Sequence, residues 1–148
     1  MSIIRQAIEA DVPAIRALVE RAYARYVPRI GRRPVPMDAD YAALIADGEV
    51  AVLEEDGAIV GVVVWRPEPD HGFIDNVAVD PDRHGRGIGR LLLAYVEREA
   101  ARAGLSELRL YTNAKMSENI GMYPKIGWTE FDRRVEDGFD RVFVRKRI

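Results

Sequence analysis

The stretch Val77-Ala78-Val79-Asp80-Pro81-Asp82-Arg83-His84-Gly85-Arg86-Gly87-Ile88-Gly89-Arg90 reads as the end of a strand, a turn with glycines at three alternate positions, and the first turn of a helix. Glycine admits backbone conformations that side chains forbid and lets a ligand come close to the chain. The first amides of a helix have no carbonyl to bond within it, and the helix dipole favours an anion in front of them. Such a segment is laid out as a cradle for a phosphate or pyrophosphate. Arg83, Arg86 and Arg90 add positive charge. Two well-known cradles fail on spacing. The dinucleotide fingerprint, counted from Gly85 and Gly87, needs a third glycine where Arg90 stands, and no Gly-Lys-Ser/Thr closes the turn as a P-loop requires. The alternative is a tight strand-to-helix turn with no ligand.

Working outward, the strand is expected over residues 72–79. The helix that follows is marked by Ile88, Leu91, Leu92, Tyr95 and Val96 and lasts until Gly104, and a second strand covers residues 107–112. Together these form a βαβ unit whose strands should run parallel, with a right-handed crossover. Upstream, residues 49–54 and 58–66 are rich in Val and Ile and flank Asp56-Gly57, a strong hairpin signal. A first strand opens the chain. Asp11 caps a helix with Pro13 in its first turn, and Ile15, Leu18, Val19, Ala22, Tyr23 and Tyr26 recur on one face. Residues 28–38, with three prolines and three arginines, read as a long loop of the kind that carries binding work or is simply solvated. A short helix with Tyr41, Leu44 and Ile45 follows and stops at Gly48. Downstream, Ser117 opens a helix that Gly127 terminates, and residues 128–135 and 139–147 form a last hairpin around Asp137-Gly138. Strands and helices mixed in this order give an α+β or α/β layered domain.

The chain has 148 residues, 48% hydrophobic and 31% charged, which is ordinary globular composition and not that of a disordered chain. Lys and Arg number 22 against 24 Asp and Glu, a formal charge of −2, so nonspecific nucleic-acid binding by the whole surface is disfavoured. There are no cysteines, which excludes disulfides, thiolate zinc sites and a cysteine nucleophile. With only His71 and His84, no metal site is expected. The apolar run at residues 59–65 is far shorter than the roughly 20 residues of a membrane span, and the N-terminus lacks a signal-peptide layout. A soluble cytoplasmic protein is expected, with no nucleic-acid or membrane partner.

His84-Gly85-Arg86-Gly87-Ile88-Gly89 resembles the acetyl-CoA pyrophosphate loop of the GNAT superfamily of N-acetyltransferases, written Gln/Arg-x-x-Gly-x-Gly/Ala, and Val77-Ala78-Val79-Asp80-Pro81 is similar to the strand before it. Leu110-Tyr111-Thr112-Asn113 and Ser117-Glu118-Asn119-Ile120-Gly121-Met122-Tyr123-Pro124-Lys125-Ile126-Gly127-Trp128 resemble the strand and helix that hold the CoA arm. The element order fits over nearly the whole chain. The resemblance implies one domain over residues 1–148, an α+β fold with a mixed, mostly antiparallel central sheet, helices on both faces and one parallel βαβ pair.

It also implies acetyl-CoA as co-substrate, contacted by Val77, Ala78, Val79, His84, Gly85, Arg86, Gly87, Ile88, Gly89, Arg90 and Asn119, with a backbone N–H at 77–79 facing the thioester carbonyl. Tyr123 falls at the family's general-acid position. Asp75 is the candidate base or water anchor, and Glu118 a weaker one. The acceptor would be a small-molecule or peptide amine, met by the first helix, the loop after it and the last hairpin. There Tyr26, Arg29, Arg32 and Arg33 favour an anionic group, whereas Glu136, Asp137 and Asp140 favour a cationic one. Exposed edges of the last hairpin permit a homodimer. Each residue also has a plainer reading: Tyr123 as a core residue, Asn119 as a helix-start polar group, Asp75 as a hydrogen-bonded strand-end carboxylate. Two positions depart from the family pattern. His84 replaces Gln or Arg, a change the backbone contacts tolerate. Pro124 removes an amide and biases Tyr123 away from helical dihedrals, so the helix is expected to kink or end there. That feature favours the alternative of an acyl-CoA-binding sensor without catalysis.

Overall fold

The computed structural model describes residues 1–148. They fall into two compact units: Met1–Trp65 with Asn76–Val96, and Arg66–Asp75 with Glu97–Ile148. Strand β4, Gly72–Val79, contributes to both.

In the first unit β1 (Ser2–Gln6) pairs antiparallel with β2 (Val50–Glu55), and β2 with β3 (Ala58–Pro67). The turn between β2 and β3 has Asp56 and Gly57 at φ 51° and 83°, the two left-handed residues that an Asp-Gly hairpin supplies at low cost. Val50, Ala51, Val52 and Leu53 on β2 and Val60, Val62, Val63 and Val64 on β3 are all buried, so these strands read as unbroken apolar runs without alternation. Helix α1 (Val12–Tyr23) buries Ile15, Leu18, Val19 and Tyr23.

The first helix stops at Tyr23, not Tyr26, and a second helix, α2 (Tyr26–Ile30), takes up residues expected to begin a loop. Pro28 is tolerated because it lies in the first turn of α2, where an amide has no helical partner. Gly31 closes α2 at φ 91° with its N–H on the Val27 carbonyl at 2.8 Å. A 3₁₀ turn at Val35–Asp38 leads into α3 (Tyr41–Ala46), which Asp40 caps by accepting from the Ala43 amide at 3.1 Å.

Helix α4 (Ile88–Arg102) follows β4. Its seat is set by Gly61 on β3, where a Cβ would lie 2.9 Å from both Ile88 Cγ2 and Leu92 Cδ1. A side chain there would displace those of Ile88 and Leu92.

In the second unit the beginning of β4 pairs parallel with β5 (Glu107–Asn113), Gly72 opposite Leu108 and Ile74 opposite Leu110. β5 pairs antiparallel with β7 (Phe139–Arg147), and β7 with β6 (Thr129–Glu136), joined by Asp137-Gly138 at φ 52° and 79°. The strand order is therefore β1-β2-β3-β4-β5-β7-β6, a seven-stranded mixed sheet with one parallel pair, as expected. β6 is its outer strand and is exposed over almost its whole length. Helix α5 (Ser117–Met122) passes into a 3₁₀ turn at Tyr123–Ile126. The α-helix does end before Pro124, but Tyr123 keeps helical dihedrals, φ −57° and ψ −46°. The bias from Pro124 is overridden because the turn tightens to 3₁₀ and Gly127, at φ 94°, brings the Trp128 amide back onto the Tyr123 carbonyl at 3.0 Å. No helix is long and apolar enough to cross a membrane.

Candidate functional site

The turn from β4 to α4 is built on Asp80, a buried acid. Its amide donates to the Val60 carbonyl at 2.9 Å. Its carboxylate accepts from the Asp82 amide at 3.0 Å, from Arg83 at 2.8 Å and from Arg21 at 2.9 Å. Burial alone would push this carboxyl up, but the Asp82 amide and the two guanidiniums outweigh it and hold it below the usual carboxylate range. A depressed carboxyl stabilises the fold fully above its unfolded value and loses that contribution as pH falls through the folded value. Acid unfolding followed by circular dichroism should therefore steepen below about pH 4, and Asp80→Asn should lower stability at pH 7 while flattening that acid limb.

Beyond Asp80 the loop opens. His84 is extended, and Gly85 and Gly87 are both left-handed, at φ 84° and 76°. A Cβ at either glycine would meet no protein atom within 4 Å. The glycines thus serve the path of the chain and leave clear space beside it. The first bond of α4 runs from the Leu91 amide to the Gly87 carbonyl at 3.0 Å, so the amides of Ile88, Gly89 and Arg90 come before the helix's own ladder. The arginines play unequal parts. Glu55 holds Arg86 at 3.0 Å and Arg83 at 3.4 Å, while Arg90 is exposed. Along β4, the Asp80 bond to Val60 fixes the alternation. The Ala78 amide faces β3, and those of Val77 and Val79 face the opposite edge.

Asn119 lies on α5 and is half-buried, and Glu118 beside it is exposed and accepts from the Ser117 hydroxyl at 3.0 Å. Tyr123 is buried, with its ring edge-on to Trp128 at 5.7 Å between centroids. Asp75 is about a third exposed, 3.8 Å from Arg66 Nη1. Burial pushes the Tyr111 hydroxyl up; Arg141 and Arg66 oppose this, while Asp75 and Glu136 reinforce it.

Tyr26 is buried, its hydroxyl accepts from Arg25 at 2.8 Å, and the Arg25 and Arg29 guanidiniums stack on its ring. Arg29 is exposed. Both opposing charge signals are largely spent within the protein. Arg33 pairs with Glu20 and Asp38, Asp140 with Arg133, and Glu136 with Arg141.

Two residues of this region escaped the sequence reading. Gly61 could have been found as a glycine inside a strand pattern, a sign of close backbone approach. Asn76 is a buried amide on β4 whose Oδ1 accepts from Tyr23 at 2.5 Å and whose Nδ2 donates to Tyr41 at 3.1 Å. Its only sequence signal is a second polar residue, next to Asp75, in a mostly apolar strand.

Among proteins of known activity, the chain is 30% identical over 78 residues to the ribosomal protein bS18-alanine N-acetyltransferase of Escherichia coli, 53% of each chain, so it spans about half the length of that relative. It is 28% identical to the S-(2-succino)cysteine N-acetyltransferase of Bacillus subtilis, over 97% of this chain and 94% of that one. The crystal structure of the E. coli S18-alanine enzyme superposes with a TM-score of 0.78 at 25% identity, covering 100% of this chain and 94% of the other. An N-acetyltransferase of Thermoplasma acidophilum in complex with coenzyme A shares the fold, with a TM-score of 0.82 at 16% identity over 100% and 99% of the chains. Residues 13–128 match the acetyltransferase (GNAT) family, and with its sheet order and glycine loop in place, the chain belongs to that family.

Proposed function

We propose that this protein is an acetyl-CoA-dependent N-acetyltransferase, moving an acetyl group to an amine of a small molecule or peptide by direct attack on the thioester. The observation that carries the reading is the left-handed pair Gly85 and Gly87, clear of protein atoms and leading into the unbonded amides that open α4. That arrangement receives a diphosphate by backbone donors and the helix dipole. The remaining roles are those the family resemblance implies, set against what the chemistry needs. Charge develops on the carbonyl oxygen, and the Val77 and Val79 amides, turned away from β3, are the donors for it. The amine nitrogen bonds to the carbonyl carbon as the C–S bond breaks. The amine's surplus proton passes to Asp75 or a water beside it. The departing sulfur takes a proton or a hydrogen bond from Tyr123; a phenol is ordinarily a weaker acid than a thiol, which favours stabilisation over full transfer.

The sensor alternative rested on Pro124 misdirecting Tyr123. Tyr123 keeps helical dihedrals and a buried ring, which removes that support. The test is a screen of amines with acetyl-CoA, following free thiol. It should include peptides that begin with alanine and cysteine-derived amino acids, the acceptors in the relatives' names. Amine-dependent thiol release is expected. Binding of acetyl-CoA without thiol release from any amine would return the sensor reading.

A further inference from the structure

Asn76 sits one residue before the 77–79 edge of β4 and is the centre of a buried hydrogen-bond chain. The Pro36 carbonyl can only accept, so the Tyr41 hydroxyl donates to it at 2.6 Å. Tyr41 then accepts from Asn76 Nδ2 at 3.1 Å, which turns Asn76 Oδ1 to the Tyr23 hydroxyl at 2.5 Å. Every donor direction follows from that one carbonyl. The Tyr23 hydroxyl also stands 3.4 Å from the Val77 carbonyl oxygen, on the edge of β4 turned away from β3. The chain thus ties three segments to one strand: α1 through Tyr23, the Val35–Asp38 turn through Pro36, and α3 through Tyr41. Tyr23, Tyr41 and Asn76 are all buried. A buried polar chain adds little net stability over an apolar filling of the same shape, but it fixes direction.

We propose that Asn76 is a positioning residue for acetyl transfer, holding the 77–79 edge of β4 against α1 and the Val35–Asp38 turn so that its amides meet the acetyl carbonyl. The inference rests on the acetyl-CoA reading above. It also makes the segment between α2 and α3 part of what aligns the acetyl group, since a shift of Pro36 is passed through Tyr41 to Asn76.

The test uses acetyl-CoA labelled with ¹³C at the carbonyl carbon, with infrared difference spectra on the full chain and calorimetry alongside. On binding to the parent, the labelled carbonyl band moves to lower wavenumber as the strand amides polarise it. In Asn76→Leu, Tyr41→Phe and Tyr23→Phe the band returns toward its free position, while acetyl-CoA affinity stays close to the parent's because the glycine loop is untouched. The two tyrosine variants remove one hydroxyl and keep the ring, so they carry the test if Asn76→Leu does not fold. A band shift that persists in all three variants, with the parent binding normally, overturns the positioning role and leaves the cofactor reading standing. A parent that does not bind acetyl-CoA overturns both.

Discussion

Gly87→Glu is expected to lower acetyl-CoA affinity by about 100-fold or more in calorimetry, without unfolding the protein. Gly87 is left-handed at φ 76°, so any side chain there brings strain, on the order of 1–3 kcal/mol. The fold tolerates it sterically, because a Cβ at this position meets nothing within 4 Å. The ligand would not, since the glutamate would occupy the space beside the amides and set a carboxylate against a diphosphate. Two unit charges at ~4 Å repel by about 4 kcal/mol at an effective dielectric of 20. Screening at an exposed loop halves that or more, yet ~2 kcal/mol is still roughly thirtyfold, before the displaced amide contacts are counted. Gly87→Ala separates strain from charge and should show the stability loss with a smaller loss of affinity. Gly89→Ala keeps the backbone donor and tests stability with the proposed cradle intact. Its Cβ would make ordinary contact with Val79 Cγ2 at 3.7 Å, and alanine is the better helix former by about 1 kcal/mol. Were Gly87→Glu to bind acetyl-CoA as the parent does, the cradle would lie elsewhere.

What the sequence disclosed and what it concealed divide along the range of the interaction. The Asp56-Gly57 and Asp137-Gly138 hairpins and the Gly85–Gly87 turn are decided by a few neighbouring residues, and the backbone angles agree with the reading. Helix α2 was hidden because Pro28 reads as a breaker until one knows that it stands in a first turn. The ion pairing of the loop was hidden for another reason. Arg83 and Arg86 were visible as cations, but the acid that pairs both, Glu55, lies 28 and 31 residues earlier on a different strand. Asn76 is the extreme case. Its partners Tyr23 and Tyr41 lie 53 and 35 residues away, and nothing local distinguishes an amide that ties three segments together from one at a strand surface. The glycine turn was legible because backbone and glycine build it, whereas the ion pairing of Arg33, Glu136 and Asp140 was not, because their charges cancel only in three dimensions.

Tyr123→Phe should reduce turnover by about 10²- to 10⁴-fold, the usual range for a positioned acid–base group, while acetyl-CoA affinity barely changes. The substitution deletes one oxygen and leaves the ring edge-on to Trp128, so the 3₁₀ turn at Tyr123–Ile126 keeps its packing. Its backbone role is equally untouched, since the Trp128 amide bonds the Tyr123 carbonyl and not the side chain. The effect therefore belongs to the hydroxyl. If the hydroxyl stabilises the departing sulfur, the loss appears in kcat and kcat/KM together, because the interaction is made only as the C–S bond breaks. It should also shrink with acyl donors whose thiol is more acidic, since a better leaving group needs less help from a phenol. A core tyrosine without a chemical role predicts the opposite pattern, a modest loss of thermal stability with turnover intact. An unchanged acetylation rate in Tyr123→Phe would remove it from the mechanism and leave the departing sulfur to be met by water.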